Sequence, residues 1–575
     1  MAKANERVAE AFEELADLLQ IAEGDRFKIL AYRRVAAEIR ALSRDITTLD
    51  QKELARLSGV GKATASKIRE VIETGTMAKL EQARAAVPRG IREMTALRGL
   101  GPKRAMALNL ALGISNLEQL EAAINKEKLR SVRGFGPKTE ANLLASLKRM
   151  AEASRRLSLG VALPAAERLV EELEASPAVS SAAYCGSLRR MKETVGDLDL
   201  LAAGRDPAAA TKLFPTLSGI EEVKIHGPTK TSARIREGLQ VDLRVVAPDE
   251  FGAALQYFTG SQAHNVRVRE IAVKQGFKLS EYGLFTVKGN HKVAGATERE
   301  VYEALGMQLP PPPMRENRGE IELSLKHALP PLVQRSELEG DLHCHSLYSD
   351  GKGSVREMAL TARSLGHRYL TITDHFHAGH VRSNTPETLA RQAREIAEVN
   401  EELRGTITIL QGVEADIDKD GDLNLPDEVI ELADVIVASI HSFFELPVGD
   451  MTRRMIRAVS NPDVNVLGHP TGRWFGSRPE VEVDLAPVFE AAARNMVALE
   501  VNSNPNRLDL KDDHLRLAKQ YGCRFCINTD AHSPEQLSRI RLGVGMAQRG
   551  WVSPEEVVNC RPLPELRAFL AKSIA

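Results

Sequence analysis

In Leu239-Gln-Val-Asp-Leu-Arg-Val-Val246 apolar and polar positions alternate with period two, the pattern of a β-strand that buries one face. A second run of this kind begins at Asp197-Leu-Asp-Leu-Leu201. Asp197 and Asp199 flank one apolar residue there, so both carboxylates project from one face of the strand. If the two strands are neighbours, Asp242 comes to the same spot. The N-terminal residues instead follow an amphipathic helical pattern. Beyond residue 340 short apolar strands return: Tyr369–Thr373, Ile409–Val413, Val435–Ile440, Val464–Leu467 and Cys523–Asn528, separated by helix-length sequence. No apolar run approaches the roughly 18 residues of a membrane span. The charged N-terminus has no apolar signal core behind it, which predicts a cytoplasmic, nucleoid-associated protein.

A chain of 575 residues, 43% of them hydrophobic, has room for several cores. Five scattered cysteines do not form a disulfide framework, and Cys523 and Cys526 read as small buried hydrophobes. The net charge of −1 hides an asymmetry, because residues 1–150 hold about 27 Lys and Arg against about 19 Asp and Glu. A basic front end suits a polyanion, with a solvated helix surface as the alternative.

Within that basic region a short pattern occurs three times, with Gly59 and Gly61, Gly99 and Gly101, and Gly134 and Gly136 as its glycine pairs, each pair followed by a lysine and a helical stretch. Glycine-apolar-glycine between helices makes a tight hairpin whose backbone N–H groups can hold a phosphate regardless of sequence. The pattern resembles the helix-hairpin-helix motif, which implies contact with the DNA backbone. Residues 10–80 also resemble the small N-terminal domain of DNA polymerase beta, through Ala31-Tyr-Arg33 and the first hairpin. By that resemblance Lys67 falls where the family carries a Schiff-base lysine and Lys28 where a 5′-phosphate is held; a solvated helix lysine is the other reading of Lys67.

Three crowded carboxylates repel one another unless divalent cations neutralise them, and two cations roughly 3.5–4 Å apart suit in-line phosphoryl displacement. Upstream, Gly186-Ser187 permits close backbone approach to a phosphate tail and adds a hydroxyl donor, and Arg190 adds a charge. Gly-Ser, the Asp-x-Asp pair and the distant third Asp resemble the nucleotidyltransferase signature, and Gly-Ser-x-Arg-Arg narrows it to family X DNA polymerases. The stretch Leu255-Gln-Tyr-Phe-Thr-Gly-Ser-Gln-Ala-His-Asn265 resembles that family's nucleotide pocket. The resemblance implies that Tyr257, Phe258 and Gly260 border the incoming sugar, that Asn265 touches the base edge, and that Arg269 contacts the template. Family members often carry an arginine two residues before the third aspartate, where this chain has Gln240.

From residue 340 the candidate ligands obey one positional rule. His343, His345, Asp350, His375, Glu414, His441, His469, Asp530 and His532 each stand at or just past the C-terminal end of an apolar strand. In a closed parallel barrel those ends converge on one face. Mixed imidazole and carboxylate suits two or three ions of zinc, manganese or iron. The segment resembles the PHP (polymerase and histidinol phosphatase) domain, through His-x-His, Thr-Asp-His, Gly-His-Pro and Thr-Asp-Ala-His. That implies a distorted seven-stranded barrel with phosphoesterase activity, in which Asp374 orients a ligand from behind.

The order of these segments resembles the bacterial family X DNA polymerases. It predicts a multidomain chain: a helical domain like the polymerase beta lyase domain over 1–85, a helix-hairpin-helix region over 86–154, an α+β nucleotidyltransferase palm over 155–250, a small α/β nucleotide- and template-binding subdomain over 251–315, a linker over 316–340 stiffened upstream by Pro310–Pro313, and a (β/α)7 PHP barrel over 341–575. The resemblance implies a monomer that binds gapped or primer-template DNA and dNTPs, uses Mg²⁺ or Mn²⁺ at the palm, fills short gaps in base excision repair, and trims 3′ ends with the barrel. Two other readings compete: a PHP phosphoesterase with a non-catalytic DNA-binding palm, and a polymerase whose barrel only positions DNA.

Overall fold

The computed structural model describes the chain apart from residues 1–2, 23–25, 42–45, 58, 88–89, 96, 98–99, 155, 377–382 and 573–575. It divides into two compact units, Met1–Ser154 with His345–Ser354 and Asp374–Thr385, and Arg155–Cys344 with Val355–Thr373 and Pro386–Ala575. No helix among the described residues is long and apolar enough to cross a membrane.

Helices make up the N-terminal part of the first unit, led by Lys3–Ile21 and Arg26–Ala41. Its apolar faces form one continuous core that includes Phe12, Leu15, Ile39, Ile68, Leu108, Leu120 and Leu143. That core runs across residue 85, so the helices on either side of it stabilise each other. The hairpin turns have the geometry that their glycines allow. Gly59 and Gly134 adopt φ of +71° and +92°, where a side chain would be strained. Gly61 and Gly101 are the N-caps of Lys62–Thr74 and Pro102–Leu112, each with extended backbone.

In the second unit the palm is a five-stranded sheet in the order Ser181–Tyr184, Asp197–Ala203, Gln240–Val246, Lys230–Ile235, Ile220–His226. The two alternating runs are its adjacent central strands, paired in parallel with Asp199 opposite Asp242. Next come the helices Phe251–Thr259 and Gln262–Lys274, a three-stranded antiparallel sheet, and the helix Glu298–Ala304. Residues 316–340 are more than a linker. The helix Glu320–Leu325 buries Ile321 in the same core as Val268, Leu284 and Tyr302, and the buried Glu320 carboxylate lies 2.7 Å from His264 Nδ1. His264 Nε2 meets Tyr302 Oη at 2.7 Å, so a buried hydrogen-bonded chain fixes this segment.

The C-terminal region is a parallel sheet in the order Gly340–Cys344, Tyr369–Ile372, Thr408–Asp416, Val435–Ser439, Val466–Gly468, Ala498–Asn502, Phe525–Asn528. Its last strand returns to its first. Leu342 N donates to Asn528 Oδ1 (3.1 Å), Asp530 N to His343 O (2.9 Å), and the buried Asp341 carboxylate accepts from Thr529 N and Oγ1 (3.1 and 2.5 Å). The result is a nearly closed seven-stranded barrel with strands such as Val435–Ser439, Ala498–Asn502 and Phe525–Asn528 buried along their whole length. All five cysteines are free, and Cys523 and Cys526 are buried.

Candidate functional site

The palm site is built on the two central strands. Gly186 has φ of +60°, and a Cβ there would lie 2.3 Å from Asp199 Oδ2, so only glycine lets the Gly186-Ser187 turn approach the acid. Burial, then the charges of Asp197 and Asp242, push the Asp199 carboxyl up to about 6. Asp242 is the better compensated acid, because Lys230 Nζ stands 3.3 Å from its Oδ2 and Gln240 Nε2 donates to its Oδ1 (3.0 Å). Gln240 therefore orients the third carboxylate in the place where the family pattern has an arginine. Lys230 supplies the charge from the neighbouring strand, and sequence reasoning missed it because the strand pairing lies ten residues or more away in the chain. Asp197 is exposed at the strand's start.

The expected nucleotide residues are placed less uniformly. Tyr257 and Phe258 pack edge to face with centroids 5.2 Å apart, and the Arg244 guanidinium lies 5.7 Å from the Phe258 ring. Asn265 is turned inward: its Oδ1 accepts from Gln256 Nε2 and its Nδ2 donates to Tyr257 O, both at 2.7 Å. Arg190 is also engaged within the protein, donating to Thr259 O (2.5 Å) and to Glu316 Oε1 (3.1 Å). Gly260, with φ of +69°, lies against it, where a Cβ would come within 3.2 Å of the Arg190 guanidinium. Arg269 is half-buried and donates to Asn265 O (3.3 Å). In the helical region Lys67 Nζ donates to Ala63 O (3.2 Å) one turn back, Lys28 is exposed, and Gly99 lies outside the described residues.

The candidate barrel ligands fall in both units. In the second, Glu414 is the centre: His343 Nε2 lies 3.4 Å from its Oε2, and His441 Nε2 and His469 Nε2 lie 3.3 and 3.0 Å from its Oε1. Asp530 Oδ1 is 3.9 Å from His343 Nε2, and the His532 ring accompanies Asp530, with Nδ1 2.9 Å from its carbonyl. A second tier fixes these groups. His343 Nδ1 meets Glu500 Oε1 at 2.7 Å, His469 N donates to Glu500 Oε2 at 2.6 Å, and His441 Nδ1 meets Asp416 Oδ1 at 2.5 Å. Burial opposes protonation of His343, but Glu500 and Glu414 outweigh it and hold the imidazole well above its usual value. Against the same opposing burial, Glu414 and Asp416 push His441 up to about 9. His469 goes the other way, to about 4, through burial and then Arg507. The excess of negative charge that raises two imidazoles is what divalent cations would neutralise, and the mixed nitrogen and oxygen donors suit them.

In the first unit His345, Asp350 and His375 present ligand atoms within 4.8 Å of one another. The two rings stack with centroids 4.5 Å apart, and Asp350 Oδ1 lies 3.5 Å from His375 Nε2. Asp374 shapes this loop by accepting from Ser346 N (2.8 Å) and from the hydroxyls of Ser346 and Ser349.

Sequence reasoning missed Glu500, Asp416 and Arg507. Glu500 sits inside a buried strand and Asp416 ends one, and the signal for both was a carboxylate in an otherwise buried run. Arg507 follows the strand that carries Glu500. Its guanidinium is buried, its Nε is 3.3 Å from Asp530 Oδ2, it lies 5.0 Å from the Trp474 ring, and its Nη1 has no hydrogen-bond partner among the described residues.

Four family models match the chain: a helix-hairpin-helix domain over 3–77, a helix-hairpin-helix tandem over 91–149, a DNA polymerase beta thumb over 254–316 and a PHP domain over 341–504. The chain is 37% identical over 564 residues to the DNA polymerase/3′-5′ exonuclease PolX of Bacillus subtilis, covering 98% of both proteins. It is 26% identical over 348 residues to rat DNA polymerase lambda, covering 54% of this chain and 56% of that one. Over 243 residues, 40% of this chain, it is 28% identical to a probable phosphatase of Caldicellulosiruptor bescii, of which 95% is covered.

Proposed function

The chain belongs to the bacterial family X DNA polymerases with a C-terminal PHP domain, and on that premise we propose how its two acid-rich sites divide the work. It is a DNA-directed DNA polymerase that fills short gaps in repair, and its PHP domain is a metal-dependent 3′–5′ exonuclease that processes 3′ ends. The observation that carries the polymerase half is the register of Asp199 against Asp242 beside the Gly186-Ser187 turn.

Asp197, Asp199 and Asp242 hold two divalent cations, Mg²⁺ or Mn²⁺ by their all-oxygen donor set. Cations bound there would supply charge neutralisation and would acidify the primer 3′-hydroxyl. The chain's own residues do the rest. Gly186 and Ser187 present donors to the triphosphate, Arg190 adds charge to it, and Tyr257, Phe258 and Gly260 border the sugar, while Asn265 and Arg269 line the base and template side. Lys230 and Gln240 keep the third carboxylate aimed. The glycine hairpins at Gly59, Gly61, Gly99, Gly101, Gly134 and Gly136 hold DNA backbone.

Within the second unit His343, Glu414, His441, His469, Asp530 and His532, and within the first His345, Asp350 and His375, would each hold divalent ions of zinc, manganese or iron. Such ions would supply Lewis-acid activation of a phosphodiester and of the attacking water. Arg507, a buried guanidinium with a spare donor beside Asp530, takes a phosphate oxygen.

A 5′-labelled primer in a one-nucleotide gap, incubated with Mg²⁺ or Mn²⁺, tests the whole reading. Extension with dNTPs and shortening without them is the expected result. Shortening alone would make the palm a DNA-binding scaffold, and extension alone would remove the exonuclease.

A further inference from the structure

The turn that carries Arg190 is packed against the barrel. A Cβ on Gly545, in the barrel helix Ile540–Arg549, would lie 2.2 Å from Met191 Cε, so that helix contacts the residue after Arg190 directly. Its last residue, Arg549, is 3% exposed. Arg549 Nη1 donates to the Arg190 carbonyl at 2.7 Å and to Glu316 Oε1 at 3.0 Å, and its Nη2 donates to Asp512. The same Glu316 oxygen accepts from Arg190 Nε at 3.1 Å and lies 3.5 Å from Lys192 Nζ. Asp512 in turn pairs with Arg318 at 3.2 Å, which clips residues 316–318 to the barrel.

We propose that Arg549, a residue of the PHP domain, is a positioning residue for the polymerase: by fixing both the Arg190 backbone and the Glu316 carboxylate, it sets where the Arg190 guanidinium stands for an incoming nucleoside triphosphate. The inference rests on the reading of Arg190 as a triphosphate contact. The physical basis is geometric. A guanidinium has five donors in a rigid fork, so Arg549 can fix two acceptors at once, whereas a lysine ammonium is a single compact charge. With Arg549 removed, Glu316 keeps its bond to Arg190 but loses its anchor to the barrel, and the pair is free to shift. Displacement of a substrate-positioning group by 1 Å can cost on the order of 100-fold.

The test is single-nucleotide incorporation on gapped DNA by the full-length protein, with KM for dNTP and kcat read separately. Arg549→Ala should raise the KM about tenfold, with kcat within about twofold and primer shortening unchanged. Glu316→Gln should do the same, and the double variant should be no worse than either single one, because the two act as one unit. Arg541→Ala breaks the exposed Arg541–Glu167 ion pair between barrel and palm and should leave the KM unchanged. If Arg549→Ala does not fold, Arg549→Lys replaces it, with a smaller rise in KM expected. A purely structural role would lower the melting temperature and the active fraction for both activities without moving the KM, and that outcome overturns the proposal. Arg190→Ala separates the two layers. If it leaves the KM unchanged, the reading of Arg190 falls; if it raises the KM while Arg549→Ala and Arg549→Lys do not, the positioning role falls alone.

Discussion

Asp199 and Asp242 stand opposite each other on adjacent parallel strands, and Lys230 pairs directly with Asp242. Asp199 is therefore the acid that most needs a cation, since burial and two neighbouring carboxylates all disfavour its charge. Asp199→Asn should reduce nucleotide addition by about three orders of magnitude, in line with the several kcal/mol that metal charge stabilisation provides. Primer shortening in the absence of dNTPs should persist. Loss of both activities in the gapped-primer assay would refute separate metal sites.

Gly186→Ala tests the same site through the backbone. Its Cβ would meet Asp199 Oδ2 at 2.3 Å, at a φ that costs a non-glycine residue roughly 1–2 kcal/mol. Nucleotide addition should be lost with only a modest fall in melting temperature, and exonuclease activity should remain. A variant that polymerises normally would show that the turn and the acid need not touch.

The two strands of the palm were legible because alternation with period two names both the strand and the face of its acids, and Asp197, Asp199 and Asp242 fell where that rule put them. The candidate ligand positions of the barrel stood out for a related reason, since histidine after an apolar strand is rare enough to be noticed. Glu500 escaped because its strand Ala498–Asn502 ends in no histidine, and its value lies in holding His343, 157 residues away. The inward turn of Asn265 and the pairing of Arg190 with Glu316 escaped likewise. Both depend on which side chain packs against which, and periodicity carries no record of that.

Glu500→Gln keeps the shape but removes the charge that supports the His343 ring and the His469 backbone. Loss of such a supporting carboxylate costs about 10–100-fold in metal affinity. Dialysis against a chelator followed by metal analysis should show faster metal loss than in the parent protein, with exonuclease activity restored by excess Mn²⁺ and polymerase activity unchanged. Equal metal retention would leave Glu500 a fold residue only.

Arg507→Met keeps the apolar stem over Trp474 and removes the charge next to Asp530. Exonuclease activity should fall about 100-fold, as expected for loss of one charged contact to a reacting phosphate group, with bound metal unchanged. Metal loss in parallel with activity would assign Arg507 to holding Asp530 rather than the substrate.

His367 carries a pH dependence of stability. It is buried, its Nε2 faces Arg335 Nη2 at 3.3 Å, and burial followed by that positive charge pushes it down to about 3. The folded protein thus holds His367 neutral, whereas the unfolded chain takes up a proton near pH 6.5. Stability from this group is complete above pH 6.5 and is lost as pH falls toward 3, at about 1.4 kcal/mol per pH unit. His367→Asn removes the titrating group. Denaturant unfolding of both proteins at pH 7.5 and 5.5 should show the parent losing about 1.4 kcal/mol more than the variant between the two. Parallel losses would mean that another group carries the acid sensitivity of the barrel.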